Sequence, residues 1–204
     1  MNLTQSKNWL LYLLFSFILY TASAQVEQEL SYNWESPLEW GGGNFSVPPW
    51  FAENLNYHGH EVLHFHPDYY NYGTEGFWTY NFALIVNELD IPTTNDIVNE
   101  TRLYFVGLGR ILGDHKNSEL SIDEIEVKAL GDWKKNGHKN YQKYLLQAFD
   151  PWETGKAIML HVRVTTWLCE NKNQRVIIYS ISPKDFDNQI WKLLKKDSES
   201  FECK

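Results

Sequence analysis

The most constraining part of the chain is its C-terminal third, where two strand patterns face each other across a short polar segment. From Met159 to Trp167 the side chains alternate, with His161 and Arg163 on one face and valines on the other. Residues 170–173 are polar, and the run that follows, to Ile181, is rich in β-branched and aromatic residues. Alternating runs joined by a short polar loop predict an antiparallel hairpin.

A helix pattern follows this hairpin directly. Ser182 is a good N-cap residue and Pro183 suits the first helical position, so the sequence predicts a helix over Lys184–Lys196. Four apolar residues at helical spacing form the stripe expected to face the sheet: Phe186, Ile190, Leu193 and Leu194.

Upstream, the chain shows one more helix and several further strand patterns. The helix is predicted over Asn95–Leu112, with Gly107 inside it allowing close approach to a strand. Gly41-Gly42-Gly43 is interpreted as a flexible break, and Asn136-Gly137 predicts a tight turn. Strands are predicted at Glu61–Phe65, Phe77–Val86, Leu120–Ala129 and Tyr141–Phe149. The expected fold class is α+β, an antiparallel β-sheet with two main helices packed on it.

The first residues have the features of a secretory signal peptide. An apolar run from Trp9 to Tyr20 precedes the small residues Thr21–Ala24, which predicts cleavage after Ala24. The alternative is a membrane anchor, but about a dozen apolar residues fall short of the ~20 that a spanning helix needs. We therefore expect a signal peptide over residues 1–24 and a single α+β domain over residues 25–204. That domain is expected to be exported, periplasmic or extracellular, without stable membrane insertion after cleavage.

The net charge limits the kinds of partner that the protein can bind, and the cysteines bear on its cellular compartment. The formal net charge is −8 and no basic cluster is present, which argues against a nucleic-acid partner. The two cysteines, Cys169 and Cys203, are expected to form a disulfide in an oxidising compartment, worth about 3–4 kcal/mol. Two unpaired buried thiols are the alternative.

Two resemblances extend this interpretation. The order of a mid-chain helix, antiparallel strands and a terminal helix resembles the PsbP-like α/β/α sandwich. The segments Val47–Ala52, Phe65-His66-Pro67, Phe77–Tyr80 and Phe201–Cys203 resemble a group of uncharacterised exported bacterial proteins. The second resemblance implies export and a single domain. It implies no catalytic residues.

Four of the seven histidines form the one candidate metal site: His58, His60, His64 and His66. All occupy even positions, so on a continuous strand they would share one face, and two such imidazoles can bind one zinc ion. His161, Asp68 or Glu75 is the candidate for a further ligand, and a zinc-bound water would make the site a hydrolase. Two points argue against a zinc site. Gly59 can break the strand, and histidines on the solvent-exposed face of a sheet need no metal. In the related exported proteins the positions of His64 and His66 usually carry Arg and Ala.

The second candidate site is an aromatic loop. Four of its side chains are predicted to bind a ligand: Tyr69, Tyr70, Tyr72 and Trp78. Flat rings beside Asn and Asp suit a carbohydrate or a protein partner, although the same rings could simply cover the end of the sheet. The favoured function is therefore a non-catalytic exported binding or accessory module without a cofactor. The alternative is a zinc-dependent hydrolase or a metal-binding protein that uses the His58–His66 cluster.

Overall fold

A computed structural model describes residues 32–112 and 124–204, and most of its strands belong to one eight-stranded antiparallel sheet. Along the chain the strands are β1 (Tyr32–Asn33), β2 (Gly41–Val47), β3 (Gly59–Phe65), β4 (Tyr80–Val86), β5 (Glu126–Ala129), β6 (Lys134–Asn136), β7 (Lys139–Asp150), β8 (Lys156–Cys169), β9 (Gln174–Ser182) and β10 (Glu202–Cys203). The large sheet has the order β2-β3-β4-β9-β8-β7-β5, with β6 beside β7. β1 and β10 pair separately.

The predicted C-terminal hairpin is confirmed as β8 and β9, at the centre of the sheet. Val164 lies opposite Tyr179, and a short 3-10 turn, Glu170–Lys172, joins the two strands. The turn at Asn136-Gly137 is also present, because Asn136 pairs with Lys139 and Gly137 takes a φ of 60°. Alternation and turn chemistry were sufficient to predict these elements.

Two helices pack on opposite faces of the sheet: α1 (Thr94–Leu112) and α2 (Ile190–Glu199). Tyr104 of α1 stacks on Phe82 of β4 at a ring-centroid distance of 5.2 Å. The neighbouring Asn81 donates its amide to the backbone carbonyl of Leu194 in α2, at 3.0 Å. Consecutive strand residues point to opposite faces, so the sheet lies between the helices. The predicted α+β class, an antiparallel sheet with two main helices, is confirmed.

The predicted start of the second helix was wrong by six residues. Ser182 ends β9, and its hydroxyl accepts a hydrogen bond from the Lys184 backbone at 3.2 Å in a turn. The helix begins at Ile190, whose N–H donates to the side chain of Asn188 at 2.8 Å. Its buried stripe is Ile190, Trp191, Leu194 and Asp197.

Leu193 is 48% exposed, so the prediction that it faces the sheet was also wrong. The buried positions Ile190, Leu194 and Asp197 follow the i, i+4, i+7 spacing of one helix face, which leaves Leu193 to the side.

Glycine positions account for two further corrections. Gly41 to Gly43 are not a flexible break but the first half of β2, paired with Leu63 to Phe65 of β3. Gly107 of α1 does approach another segment closely, but that segment is a loop. A Cβ on Gly107 would lie 2.0 Å from the backbone oxygen of Phe51.

Some sequence-based boundaries differ from those observed, and some lie outside the described residues. β4 begins at Tyr80 because the preceding residues form a turn, closed by a hydrogen bond from Thr79 N to Gly76 O at 3.0 Å. The strand predicted over Leu120–Ala129 is observed from Glu126, and residues 120–123 are not described. The predicted signal peptide is also outside the described residues. Within 32–112 and 124–204, no helix is both long and apolar enough to cross a membrane.

A disulfide joins Cys169, the last residue of β8, to Cys203 of β10, with 5.7 Å between the Cα atoms. It lies beside a small aromatic cluster in which Phe201 contacts Tyr32, Trp34 and Trp167. The bridge therefore holds the C-terminal strand and its β1 partner against the α2 side of the sheet.

Candidate ligand-binding cleft

A cleft of about 630 Å³ lies between the β2 edge of the sheet and the C-terminal end of α1. Its floor is formed by β3 and β4, including Glu61, Leu63, Phe65 and Tyr80. The wall on the helix side comprises Tyr104, Leu108, Ile111 and Leu112. Tyr69 lines the inner part, and the rim is completed by Phe45, the segment 48–51, Glu53, Tyr70 and Trp152.

Small residues at the edge of the sheet keep this cleft open. Gly43, which lies opposite Leu63, lines it without a side chain, and a Cβ there would come within 2.9 Å of the Phe45 ring. On the opposite side Gly107 lets the backbone of Phe51 pack directly on α1. The cleft is thus bounded by a loop held close to a helix and by a strand with little side-chain bulk.

The walls of the cleft are a connected set of aromatic rings. Phe65 stacks with Tyr80 at 5.5 Å and contacts Tyr69 at 4.8 Å. Tyr69 contacts Tyr70 edge-on at 4.7 Å, and Tyr70 in turn meets Trp152 at 5.1 Å. Ring edges and faces are therefore presented from the buried floor to the open mouth.

Several apolar side chains at the mouth remain exposed. Trp50 is 70% exposed and Phe45 is 54% exposed. Exposed aromatic groups next to an apolar cleft are typical of a binding surface rather than of a closed core.

The floor of the cleft carries one buried carboxyl group, that of Glu61. The residue is 1% exposed, and its Oε1 accepts a hydrogen bond from the Tyr104 hydroxyl at 2.6 Å. Burial raises the pKa of Glu61 to about 7, although the hydrogen bond from Tyr104 opposes that rise. The carboxyl can therefore change its charge near neutral pH.

The groups around Glu61 do not compensate a negative charge. Among the described residues lining the cleft none is Lys, Arg or His, and the other acid, Glu53, lies at the rim. Burial also raises the pKa values of Tyr80 and Tyr104 well above 10, so both phenols stay neutral. The ionised form of Glu61 therefore has a hydrogen-bond donor beside it but no cation.

The predicted aromatic site is only partly assembled here. Tyr70 lines the mouth and is 59% exposed, while Tyr69 lines the cleft from within and is buried. Tyr72 is exposed and packs edge-on against Phe77, away from the cleft. Trp78 is buried, and its indole donates to Asp150 Oδ1 at 3.0 Å, so this ring belongs to the core.

Sequence reasoning missed Glu61 and Tyr104 as site residues. The signal was present in the strand pattern, because Glu61 has the same parity as Leu63 and Phe65 and so points to their face. A carboxyl on the apolar face of a strand is unusual enough to mark a candidate site.

His64 lies on the opposite face and is part of a buried network. Its Nδ1 is 3.0 Å from Asp197 Oδ1 in α2, and Asn81 donates to Asp197 Oδ2 at 2.6 Å. The imidazole also packs on Trp34 at 4.0 Å between ring centroids. With both ends of the pair buried, this network holds α2 on the sheet.

The other histidines of the predicted zinc site, all within the described residues, do not form a metal-binding group with His64. His60 is four residues away on the same strand, which corresponds to about 13 Å. His161 lies on β8, with β4 and β9 between it and β3, and pairs with Asp185 at 3.1 Å. His66 Nδ1 accepts a hydrogen bond from the Asp68 backbone at 3.1 Å.

The remaining candidates also have other partners. His58 pairs with Glu88 at 2.9 Å, Asp68 accepts from Asn71 at 2.8 Å, and Glu75 pairs with Lys184 at 3.3 Å. Across residues 32–112 and 124–204, no group of three or more His, Cys, Asp or Glu side chains is placed to hold a metal ion.

Comparison with known proteins gives a remote structural similarity. The chain is similar to the solution structure of cyanobacterial PsbP (CyanoP) from Synechocystis sp. PCC 6803, with 10% sequence identity and a TM-score of 0.41. The match covers 85% of this chain and 87% of that chain. No protein-family model and no curated protein matches the sequence.

Proposed function

We propose that the protein is a non-catalytic binding module whose cleft takes an apolar group of a small ligand. The observation that carries this proposal is the aromatic cleft of about 630 Å³ between β2 and α1. That volume is within the range of small-molecule sites, which are mostly apolar with a few placed polar groups. Here Glu61 is the buried polar group that would orient the ligand.

The distribution of side chains favours binding over hydrolysis. The histidine expected to be central to a zinc-dependent hydrolase, His64, is buried against Asp197 on the opposite face of the sheet from Glu61. Its imidazole therefore cannot reach the cleft. The cleft contributes apolar area, a carboxyl and phenols, which suit recognition of a ligand.

Export of the module is also part of the proposal. The disulfide between Cys169 and Cys203 supports it, because such bonds persist mainly in oxidising compartments such as the periplasm or the extracellular space. The apolar run and small residues of 1–24 support the same compartment.

A carbohydrate is the second candidate ligand, favoured by the exposed rings at the mouth of the cleft. Tyr70 and Trp152 meet edge to face at 5.1 Å, and sugars commonly stack on such rings. Tyr70→Ala would then abolish retention on an immobilised polysaccharide. Equal polysaccharide retention by the wild type and the variant would exclude this candidate.

The apolar cleft is tested with N-phenylnaphthylamine, an uncharged fluorophore whose emission rises in an apolar site. We expect one fluorophore to bind per protein, and Ile111→Trp to weaken binding at least tenfold because the larger ring fills the cleft. Leu193→Trp on the outer side of α2 is the matched control and is expected to bind normally. Equal binding by both variants would contradict the proposal.

A further inference from the structure

We propose that the ligand of the cleft carries an organic cation, an alkylated ammonium group, which lies between the aromatic walls and beside Glu61. This inference rests on the proposed binding function and adds the chemical class of the ligand. It follows from the charge of the lining, the arrangement of the rings and the burial of the carboxyl group.

The charge of the lining has one sign. Glu53 at the rim and Glu61 at the floor are the charged side chains among the described lining residues, and both are acidic. Such a cleft attracts cations and repels carboxylates and phosphates. An apolar ligand bearing an anionic group is therefore disfavoured here.

The rings supply the second requirement. Tyr80, Phe65 and Tyr69 surround the inner part of the cleft, and Tyr70 and Trp152 its mouth. The faces of such rings are electron-rich and attract ammonium groups within about 6 Å, which is how aromatic cages hold quaternary amines. A fully alkylated ammonium group also fits an apolar lining better than a primary ammonium group, because it has no N–H donors that need acceptors.

The buried carboxyl supplies the third requirement. Glu61 is 1% exposed and receives its side-chain hydrogen bond from Tyr104, with Tyr80 and Tyr69 as the other titratable groups beside the pair. These three tyrosines are neutral and Glu53 is acidic, so no described neighbour balances a charge on Glu61. A bound cation would balance it and would favour the ionised form.

The affinity of the cleft for an organic cation should depend on pH. The pKa of Glu61 is about 7, so below that pH the free protein carries protonated Glu61. A cation must then displace a proton to bind. Its affinity should fall up to tenfold per pH unit below about pH 7 and level off above it. An uncharged ligand of the same shape should show no such fall.

The experiment compares choline with its uncharged isostere, the alcohol in which a tert-butyl group replaces the trimethylammonium group. Both are used to displace N-phenylnaphthylamine from the full chain at about pH 8 and about pH 5.5, on either side of the Glu61 pKa. We expect choline to bind at least tenfold more tightly than the isostere at the higher pH. That preference should fall at the lower pH and approach unity in Glu61→Gln.

The outcomes separate this inference from the proposed function. Glu88→Gln, which changes an acid paired with His58 outside the cleft, is the matched control and should keep the preference. Equal affinity for choline and the isostere at the higher pH, or a preference that survives in Glu61→Gln, would overturn the cation inference. Failure of the fluorophore itself to bind the wild type would overturn the proposed function instead. The pH comparison uses the wild type, so it holds even if Glu61→Gln folds poorly.

Discussion

The hydroxyl of Tyr104 donates a 2.6 Å hydrogen bond to the buried carboxyl of Glu61 and so links α1 to β3 at the floor of the cleft. This bond stabilises the ionised form, whereas burial disfavours it and is the larger effect. The balance leaves the pKa of Glu61 near 7 in the folded protein.

The first prediction concerns that balance. Tyr104→Phe removes the donor but keeps the ring, so the pKa of Glu61 should rise further above its ordinary value of 4.5. Carbon-13 NMR titration of the side-chain carboxyl measures the change. Tyr144→Phe, whose hydroxyl donates to Gln142 rather than to Glu61, is the control and should leave the titration unchanged. An unchanged pKa in Tyr104→Phe would contradict the described contact.

The second prediction concerns stability and pH. Because the folded-state pKa of Glu61 is raised from 4.5 to about 7, the folded protein binds more protons than the unfolded chain between these values. The contribution of Glu61 to the free energy of unfolding is therefore greatest at about pH 4.5 and below, and is lost as the pH rises to about 7. The total loss is about 3 kcal/mol, from 1.36 kcal/mol per pKa unit.

Urea unfolding between about pH 4 and 8 checks this, as the difference between the wild type and Glu61→Gln. Burial also raises the pKa of Glu100, but that effect is common to both proteins and cancels in the difference. If the difference in unfolding free energy stayed constant across this pH range, folding would not raise the pKa of Glu61.

The third prediction concerns the network that holds α2. Asp197→Ala leaves His64 and Asn81 buried without their shared acceptor, which should cost about 3–5 kcal/mol of unfolding free energy. Asp185→Ala is the matched control, since it breaks a second His–Asp pair whose acid is 82% exposed. That change should cost less than about 1 kcal/mol. Equal losses in chemical denaturation would mean that the buried network contributes little.

The fourth prediction uses two adjacent leucines. Leu194 is fully buried against the sheet and Leu193 is exposed. Leu194→Ala should therefore destabilise the protein by about 2–5 kcal/mol, and Leu193→Ala by less than about 0.5 kcal/mol. Thermal and urea unfolding of the two variants give the comparison. Large losses in both variants would instead place both leucines against the sheet, as the sequence stripe suggested.

These residues also show how far the sequence was informative. Alternation over Met159–Trp167 and the turn chemistry at Asn136-Gly137 act locally, so β8, β9 and the turn were predicted well. The start of α2 was mispredicted because Ser182 and Pro183 offer a plausible helix cap, yet pairing with β8 keeps Ser182 extended. Tertiary pairing outweighed the local signal.

The cleft and the buried His64 network depend on contacts between residues that are far apart in the sequence. Glu61 and Tyr104 are 43 residues apart, and His64 and Asp197 are 133 apart. The even spacing of the histidines suggested one shared face, but His58 and His66 lie outside β3, and His64 is already engaged by α2. Only the parity of Glu61 with Leu63 and Phe65 pointed to the observed floor.

The most direct test of the account is to locate a bound apolar probe by NMR. With leucine and isoleucine methyl groups labelled, N-phenylnaphthylamine should show intermolecular nuclear Overhauser effects to Leu63, Leu108 and Ile111, which line the cleft. Exposed leucine and isoleucine methyls elsewhere, on Leu38, Ile91 and Leu193, should show none. Effects confined to those exposed residues, with none to the cleft, would contradict the proposal that this cleft is the binding site.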